Sequence, residues 1–130
     1  MSLVSTPMSV GELLDKITIL EIKSEKITDK DKLKNIQYEL QLLNKTWTET
    51  GLNNEKTEAL KNDLKTVNLK LWKIEDDIRI KEKAREFDAQ FIELARSVYY
   101  QNDDRAAVKK AINILTGSDL VEEKSYESYE

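Results

Sequence analysis

The chain has no cysteine and no histidine among its 130 residues. That removes disulfides, zinc sites of thiolate or imidazole, Cys-His and Ser-His nucleophiles, and any histidine switch near neutral pH. Proline occurs once and glycine three times, so no Gly- or Pro-rich linker divides the chain and one domain is expected. None of the glycines lies in a phosphate-cradling run; G-x-G-x-x-G and Walker A patterns are both missing, and nucleotide binding has no motif behind it. No apolar run approaches the roughly 20 residues of a membrane span. Residues 1–12 lack the charged start and apolar middle of a signal peptide, and the expected address is the cytoplasm. An excess of positive charge is missing as well. With 21 basic and 25 acidic side chains the formal charge is −4, and no basic stripe is interleaved with aromatics, which disfavours nucleic acid as a partner.

What the chain does have is charge, on 35% of its residues, set between apolar residues at helical spacing. Ser9 and Glu12 have the spacing of a capping box, and Val10, Leu13, Leu14, Ile17 and Leu20 predict a first helix over about 10–27. Thr28 and Asp29 are N-cap types ahead of Leu33, Ile36, Leu40, Leu43 and Trp47, with Gly51 just past the end, a second helix over about 30–49. Asn53 or Asn54 can cap a third helix with no breaker before Gly117, expected over about 55–100. Asn102 and Asp103 offer one more cap, for a last helix over about 104–116 that carries Val108, Ala111, Ile112 and Leu115. Residues 117–130 read as an acidic tail or a docking arm. Nowhere do β-branched residues alternate usefully with polar ones. The expected class is all-α, an antiparallel helical bundle with one long third helix, with Trp47 and Leu43 packed on its first half.

The third helix carries the strongest implication. Leu60, Leu64, Val67, Leu71, Ile74 and Ile78 keep one narrow stripe, whereas Ile80, Ala84, Phe87, Phe91, Leu94 and Val98 fall on the opposite side of the same cylinder. The stretch Arg79–Lys83 between them contains good helix formers, which favours continuity. A continuous helix would be about 69 Å long, against about 36 Å across for a compact globule of this length. Either a second copy covers the overhang, as a homodimer using Phe87, Phe91, Leu94 and Val98, or the helix breaks near Arg79–Lys83 and folds back; the homodimer is the preferred expectation.

Few residues offer chemistry. The only arginines are Arg79, Arg85, Arg96 and Arg105, and Arg is suited to bidentate grip on carboxylate or phosphate. Arg96 and Arg105, with Asp15 and Lys16 of the first helix, are the candidate anion-binding or pocket residues. The plain alternative is an interhelical salt bridge from Arg96 or Arg105 to Asp103 or Asp104, or solvated rim charges at a dimer interface. Glu12, Asp15 and Glu21, or Glu75, Asp76 and Asp77, could be imagined around Mg²⁺. Simpler partners compete: a cap for Glu12, and Arg79 and Lys81 at i, i+4 from Glu75 and Asp77. No metal and no cofactor is expected. Trp47, Trp72, Phe87, Phe91, Tyr99 and Tyr100 read as packing groups.

At Val10–Lys23, reading Val-Gly-Glu-Leu-Leu-Asp-Lys-Ile-Thr-Ile-Leu-Glu-Ile-Lys, and again at Ala95–Tyr99 and Asn102–Ala106, the chain resembles a bacterial family of unknown function. The resemblance spans nearly the whole chain and takes in Glu122, Glu123, Lys124, Ser125 and Tyr126, which implies that the tail is more than plain disorder. It implies a small helical protein found beside genes for lipopolysaccharide or other surface-glycan assembly, with no established activity to carry over. The expected function is an accessory or protein-interaction module, with a protein partner in surface-glycan assembly. The alternative is a small-molecule anion-binding enzyme with a pocket like that of chorismate mutase, an all-helical dimer whose Arg and Lys residues hold a dicarboxylate. That analogy is at the level of fold; helix one has Lys16, Lys23 and Lys26 but no arginine.

Overall fold

The computed structural model describes residues 2–129, and every regular element among them is helical. Four helices follow in order: α1 Val10–Lys26, α2 Lys30–Glu49, α3 Glu55–Ala84 and α4 Ala89–Thr116. Each opens on a side chain that accepts from an otherwise orphaned N–H, as N-caps do. The donors are Glu12 to Ser9 at 3.1 Å, Lys32 to Asp29 at 3.0 Å, Thr57 to Asn54 at 3.0 Å and Phe91 to Asp88 at 2.9 Å. The capping box is complete at α3, where the Thr57 hydroxyl accepts from the Asn54 N–H in return.

Two expectations fail at one place. The third helix ends at Ala84 instead of reaching residue 100, and α4 then runs unbroken through Asn102 and Asp103, where a turn was expected. Arg85 closes α3 in the left-handed region at φ 56°, ψ 39°. Its N–H and that of Glu86 donate back to the Glu82 and Lys81 carbonyls at 3.1 and 3.0 Å, a Schellman-type closure that satisfies helix-end carbonyls. Lys81 Nζ then bridges Glu86 at 3.1 Å and Asp88 at 2.9 Å, and Phe87 packs edge-on against Phe91 with ring centroids 5.2 Å apart. No glycine or proline is needed because caps, ion pairs and aromatic contact turn the chain together. The reversal falls just beyond the Arg79–Lys83 stretch; it turns the later part of the second stripe, Phe91, Leu94 and Val98, back along α3, where these are half-buried, while Ile80, Ala84 and Phe87 stay exposed. The 69 Å rod does not exist, and the case for a second chain that rested on it goes with it. Around the same turn Lys81 is not the partner of Asp77, which pairs with Lys73 at 3.0 Å.

α1 is the central helix. α2, α3 and α4 all pack against it, and α3 and α4 pack on each other as a hairpin. The core joins Leu13, Leu14 and Ile17 of α1 to Trp47 of α2, Leu64 of α3 and Ile112 of α4, with Leu40, Leu43, Leu60 and Val108 packed around them. At its start α1 lies so close to α4 that only glycine fits: a Cβ on Gly11 would stand 2.6 Å from the Lys109 carbonyl oxygen. The approach is fastened by hydrogen bonds from the Gly11 N–H to Asn113 Oδ1 at 2.7 Å and from the Val10 N–H to Ser118 Oγ at 3.3 Å. With the Ser9 cap, these account for the first three N–H groups of α1, which a helix cannot satisfy itself.

α1 covers only part of the hairpin. At 1.5 Å per residue α3 and α4 are about 45 and 42 Å long, while α1 reaches about 26 Å. Between Asn68 on α3 and Lys109 on α4 no residue is fully buried. This distal half carries Ile80, Phe87, Ile92, Tyr99 and Tyr100 exposed, while Phe91, Leu94 and Val98 are half-buried.

Candidate functional site

Asp15 lies on the face of α1 that meets both long helices, and it is 1% exposed. A carboxylate there must be paired or neutralised. Arg105 of α4 meets it with both arms of the guanidinium: Nε donates to Oδ1 at 2.9 Å and Nη2 donates to Oδ2. From α3, Asn68 Nδ2 donates to Asp15 Oδ1 and to Thr18 Oγ1, each at 3.0 Å, and the Thr18 hydroxyl donates to the Asp15 carbonyl at 2.8 Å. One layer of polar side chains thus ties three helices together. Burial pushes the Asp15 pKa up, but the hydrogen bonds from Arg105 and Asn68, with the charges of Arg105 and Lys109, outweigh it and hold the carboxyl below its ordinary value. The hydrogen bond to Asp15 raises Arg105 in turn.

One turn along α4, Lys109 is the second buried charge, 5% exposed. Its ammonium donates to Glu12 of α1 and to Glu122 of the C-terminal segment, both at 2.8 Å. Burial lowers the Lys109 pKa, and the two carboxylates more than reverse it, so the net direction is upward. Beyond them, Lys124 pairs with Asp103 at 2.7 Å, and the Tyr129 hydroxyl donates to the other oxygen of Asp103. Residues 118–129 form no helix or strand but lie along α4 as an arm. Between arm and helix is a cleft of about 670 Å³ whose walls include Arg105, Lys109, Asn102, Tyr99 and Tyr126.

Of the four residues singled out in the sequence, the fold brings together Asp15 and Arg105. Lys16 points outward from α1 and is exposed. Arg96 is also on the outside, 3.8 Å from Glu93 and beside the hydroxyls of Tyr99 and Tyr100. The interhelical salt bridge expected from Arg96 or Arg105 to Asp103 or Asp104 is not the one formed, since all four lie on α4: Arg105 reaches across to Asp15 of α1, because its position on the helix faces inward. Sequence reasoning missed Asn68, Lys109, Glu122 and Lys124. For Lys109 a signal existed, since it sits between Arg105 and Ile112 on the buried face of α4, where a solvated lysine would not be placed.

The arrangement can hold polar or charged groups of a ligand against a fixed Arg and Lys. Among the described residues no three of Asp, Glu, His and Cys converge to hold a metal ion, and no helix is long and apolar enough to cross a membrane. Fold and site together define a small all-helical protein with a charged cleft along its last helix. A model of a family of unknown function, DUF6165, matches residues 4–129, and the chain belongs to that family. No curated protein and no solved structure matches it.

Proposed function

We propose that the protein is a helical interaction module without catalysis of its own. In this reading it acts as a homodimer in a bacterial cytoplasm, as an accessory to a protein of surface-glycan assembly, the setting that the family resemblance implies. Self-association uses the distal half of the α3–α4 hairpin, the region of Phe87, Phe91, Leu94 and Val98. One observation carries it. The chain exposes 9451 Å², whereas a compact monomer of this mass exposes roughly 7,100 Å². The excess exceeds the roughly 800 Å² per partner that a standard interface covers. Part of it lies on the distal hairpin, where Ile80 is 65% and Ile92 56% exposed, and a second copy of the same apolar surface is the simplest cover.

Light scattering at micromolar concentration tests this. The unmodified chain is expected at twice its 15.1 kDa mass. Ile80→Glu with Ile92→Glu, both at exposed positions, should give a folded monomer, and a wild-type monomer refutes the dimer. A second reading, a small-molecule anion-binding site of the chorismate-mutase kind, is favoured by a single feature: the buried Asp15 fixes a cleft-facing guanidinium in advance of any ligand. Titration with succinate, read by amide shifts around Arg105 and Lys109, decides it.

A further inference from the structure

The arm meets α4 at successive points along the helix. Glu122 meets Lys109, Lys124 meets Asp103, and Tyr129 meets Asp103 while its ring packs on those of Tyr99 and Tyr100, with centroids 5.1 and 4.7 Å away. As the arm advances, its partners step back along the helix from 109 to 103 to 99. Ten residues of helix span about 15 Å, and the seven steps from Glu122 to Tyr129 can span up to about 25 Å when extended, so the arm lies along this face without stretching. The match is chemical at every point: carboxylate on ammonium, ammonium on carboxylate, aromatic on aromatic. That is how a surface reads an extended peptide, and it differs from hydrophobic collapse, for the residues from Leu120 to Tyr129 remain exposed.

The groove side has fixed points that do not involve the arm. Lys109 is held also by Glu12, the Gly11–Asn113 contact sets the approach of α1 beside it, and Arg105 is fixed by Asp15. Beyond Glu122, whose partner Lys109 is buried, the arm side is held loosely. The Lys124–Asp103 pair joins partly exposed side chains, a kind that contributes little to stability. The segment leaves α4 at Gly117, whose φ of 66° lets the chain turn out of the helix. A preformed groove with a weakly held, chemically matched occupant is the arrangement of a recognition site bearing an internal competitor.

We propose that this face of α4 is a docking groove for an extended segment of a partner protein. The segment carries a carboxylate, a basic side chain two positions on and an aromatic hydroxyl five positions further, and the chain's own arm occupies the groove in cis as the competing ligand. This rests on the reading of the protein as an interaction module, and in no part on its self-association. A small anion would use Arg105 and Lys109 and leave the cation site at Asp103 and the Tyr99–Tyr100 surface without a role, which is why a peptide is the class of ligand that fits.

The test is fluorescence anisotropy on the full-length chain with a labelled synthetic peptide of residues 119–129. In the unlatched variant, Glu122→Ala with Lys124→Ala, the internal competitor is gone, and the peptide should bind at least about tenfold tighter than to the wild type, because a tethered competitor acts at high effective concentration. Adding Asp103→Lys to that variant should reverse its preference, so that the native peptide is rejected and a peptide carrying Lys124→Glu is taken. The gain for the altered peptide separates a changed groove from a misfolded chain. An unlatched variant that binds no tighter than the wild type, or an Asp103→Lys chain that treats both peptides alike, overturns the proposal. Light scattering on the same samples separates the two readings: peptide capture by a monomer removes the dimer and leaves the groove, while a dimer that ignores the peptide removes the groove alone.

Discussion

Asp15→Asn removes one charge from the layer that joins α1, α3 and α4, and its effect can be worked out from the contacts. Arg105 would keep its place with its side chain 30% exposed, facing an amide where it had two carboxylate oxygens, and Asn68 would lose its charged acceptor. Breaking a buried ion pair by removing one partner costs about 3–5 kcal/mol, and the residual hydration of Arg105 puts this case near 3 kcal/mol. With a urea m-value of about 1.5 kcal/mol/M, the unfolding midpoint should fall by about 2 M. Arg105→Ala should cost at least as much, since it strands a carboxylate that water barely reaches. The double variant should lose less than the sum of the two, leaving a coupling of about 2 kcal/mol or more. The pH dependence has a definite sign. A carboxyl held below its ordinary value when folded contributes stability above the unfolded pKa, near 3.8, and that contribution is lost as pH falls through the lower folded value. The wild type should therefore lose stability on acidification below about pH 4 faster than Asp15→Asn does. Additive losses in the cycle, or parallel acid limbs for the two proteins, would refute the account of Asp15 and Arg105 as one coupled buried unit.

Two further substitutions probe the framework. Gly11→Ala gains helix propensity of about 1 kcal/mol, but its methyl would stand 2.6 Å from a backbone oxygen of α4, where no side chain can rotate away. Overpacking of this kind costs about 1–3 kcal/mol, so thermal unfolding should show a net loss, and an unchanged or higher midpoint would mean that α1 and α4 are not in that contact. Arg85→Gly should do the opposite. The left-handed backbone at φ 56° costs an L-residue about 1–2 kcal/mol, part of which glycine returns as unfolded-state entropy. The melting temperature should rise by about 2–4 °C, and a fall would show that the α3–α4 turn does not depend on that conformation.

Much of the fold is written in local pattern. The caps at Ser9, Asp29 and Asn54 and the apolar stripes of the first two helices need only neighbours within a turn or two. The turn at 85–88 is different. A search for glycine or proline finds nothing there, since the closure is shared among Arg85 in an unfavoured conformation, Asp88 as a cap, Lys81 bridging two carboxylates, and one pair of phenylalanines. Yet the sequence does record the reversal approximately in another form, as the change of side between the stripe ending at Ile78 and the one beginning at Ile80, whose first two members, Ile80 and Ala84, still precede the turn. Chain reversal turns a stripe round without altering its period, and a continuous helix covered from two directions has the same period. Asn102 and Asp103 mislead for a related reason: they are N-cap types, but a cap works only where the preceding residue has left the helix, and nothing before them does.

The site is less legible because its pairings lie far apart along the chain. Asp15 and Arg105 can be singled out by chemistry, but that they face one another depends on α1 crossing from α4 to α3, which follows from tertiary packing alone. Its partners pass from Asn113 and Arg105 near its start to Lys61 and Lys65 near its end. One step was available without a structure. A lysine on the buried face of a helix cannot stay solvated, and an ammonium withdrawn from water must find carboxylates. Lys109 therefore demands an acidic partner from whichever element covers α4, and the first turn of α1 offers Glu12, next to a glycine that permits the approach. The second carboxylate it meets is Glu122, from the acidic arm beyond Gly117, so the buried lysine, and not the run of glutamates itself, is one of the points that set the arm against the helix.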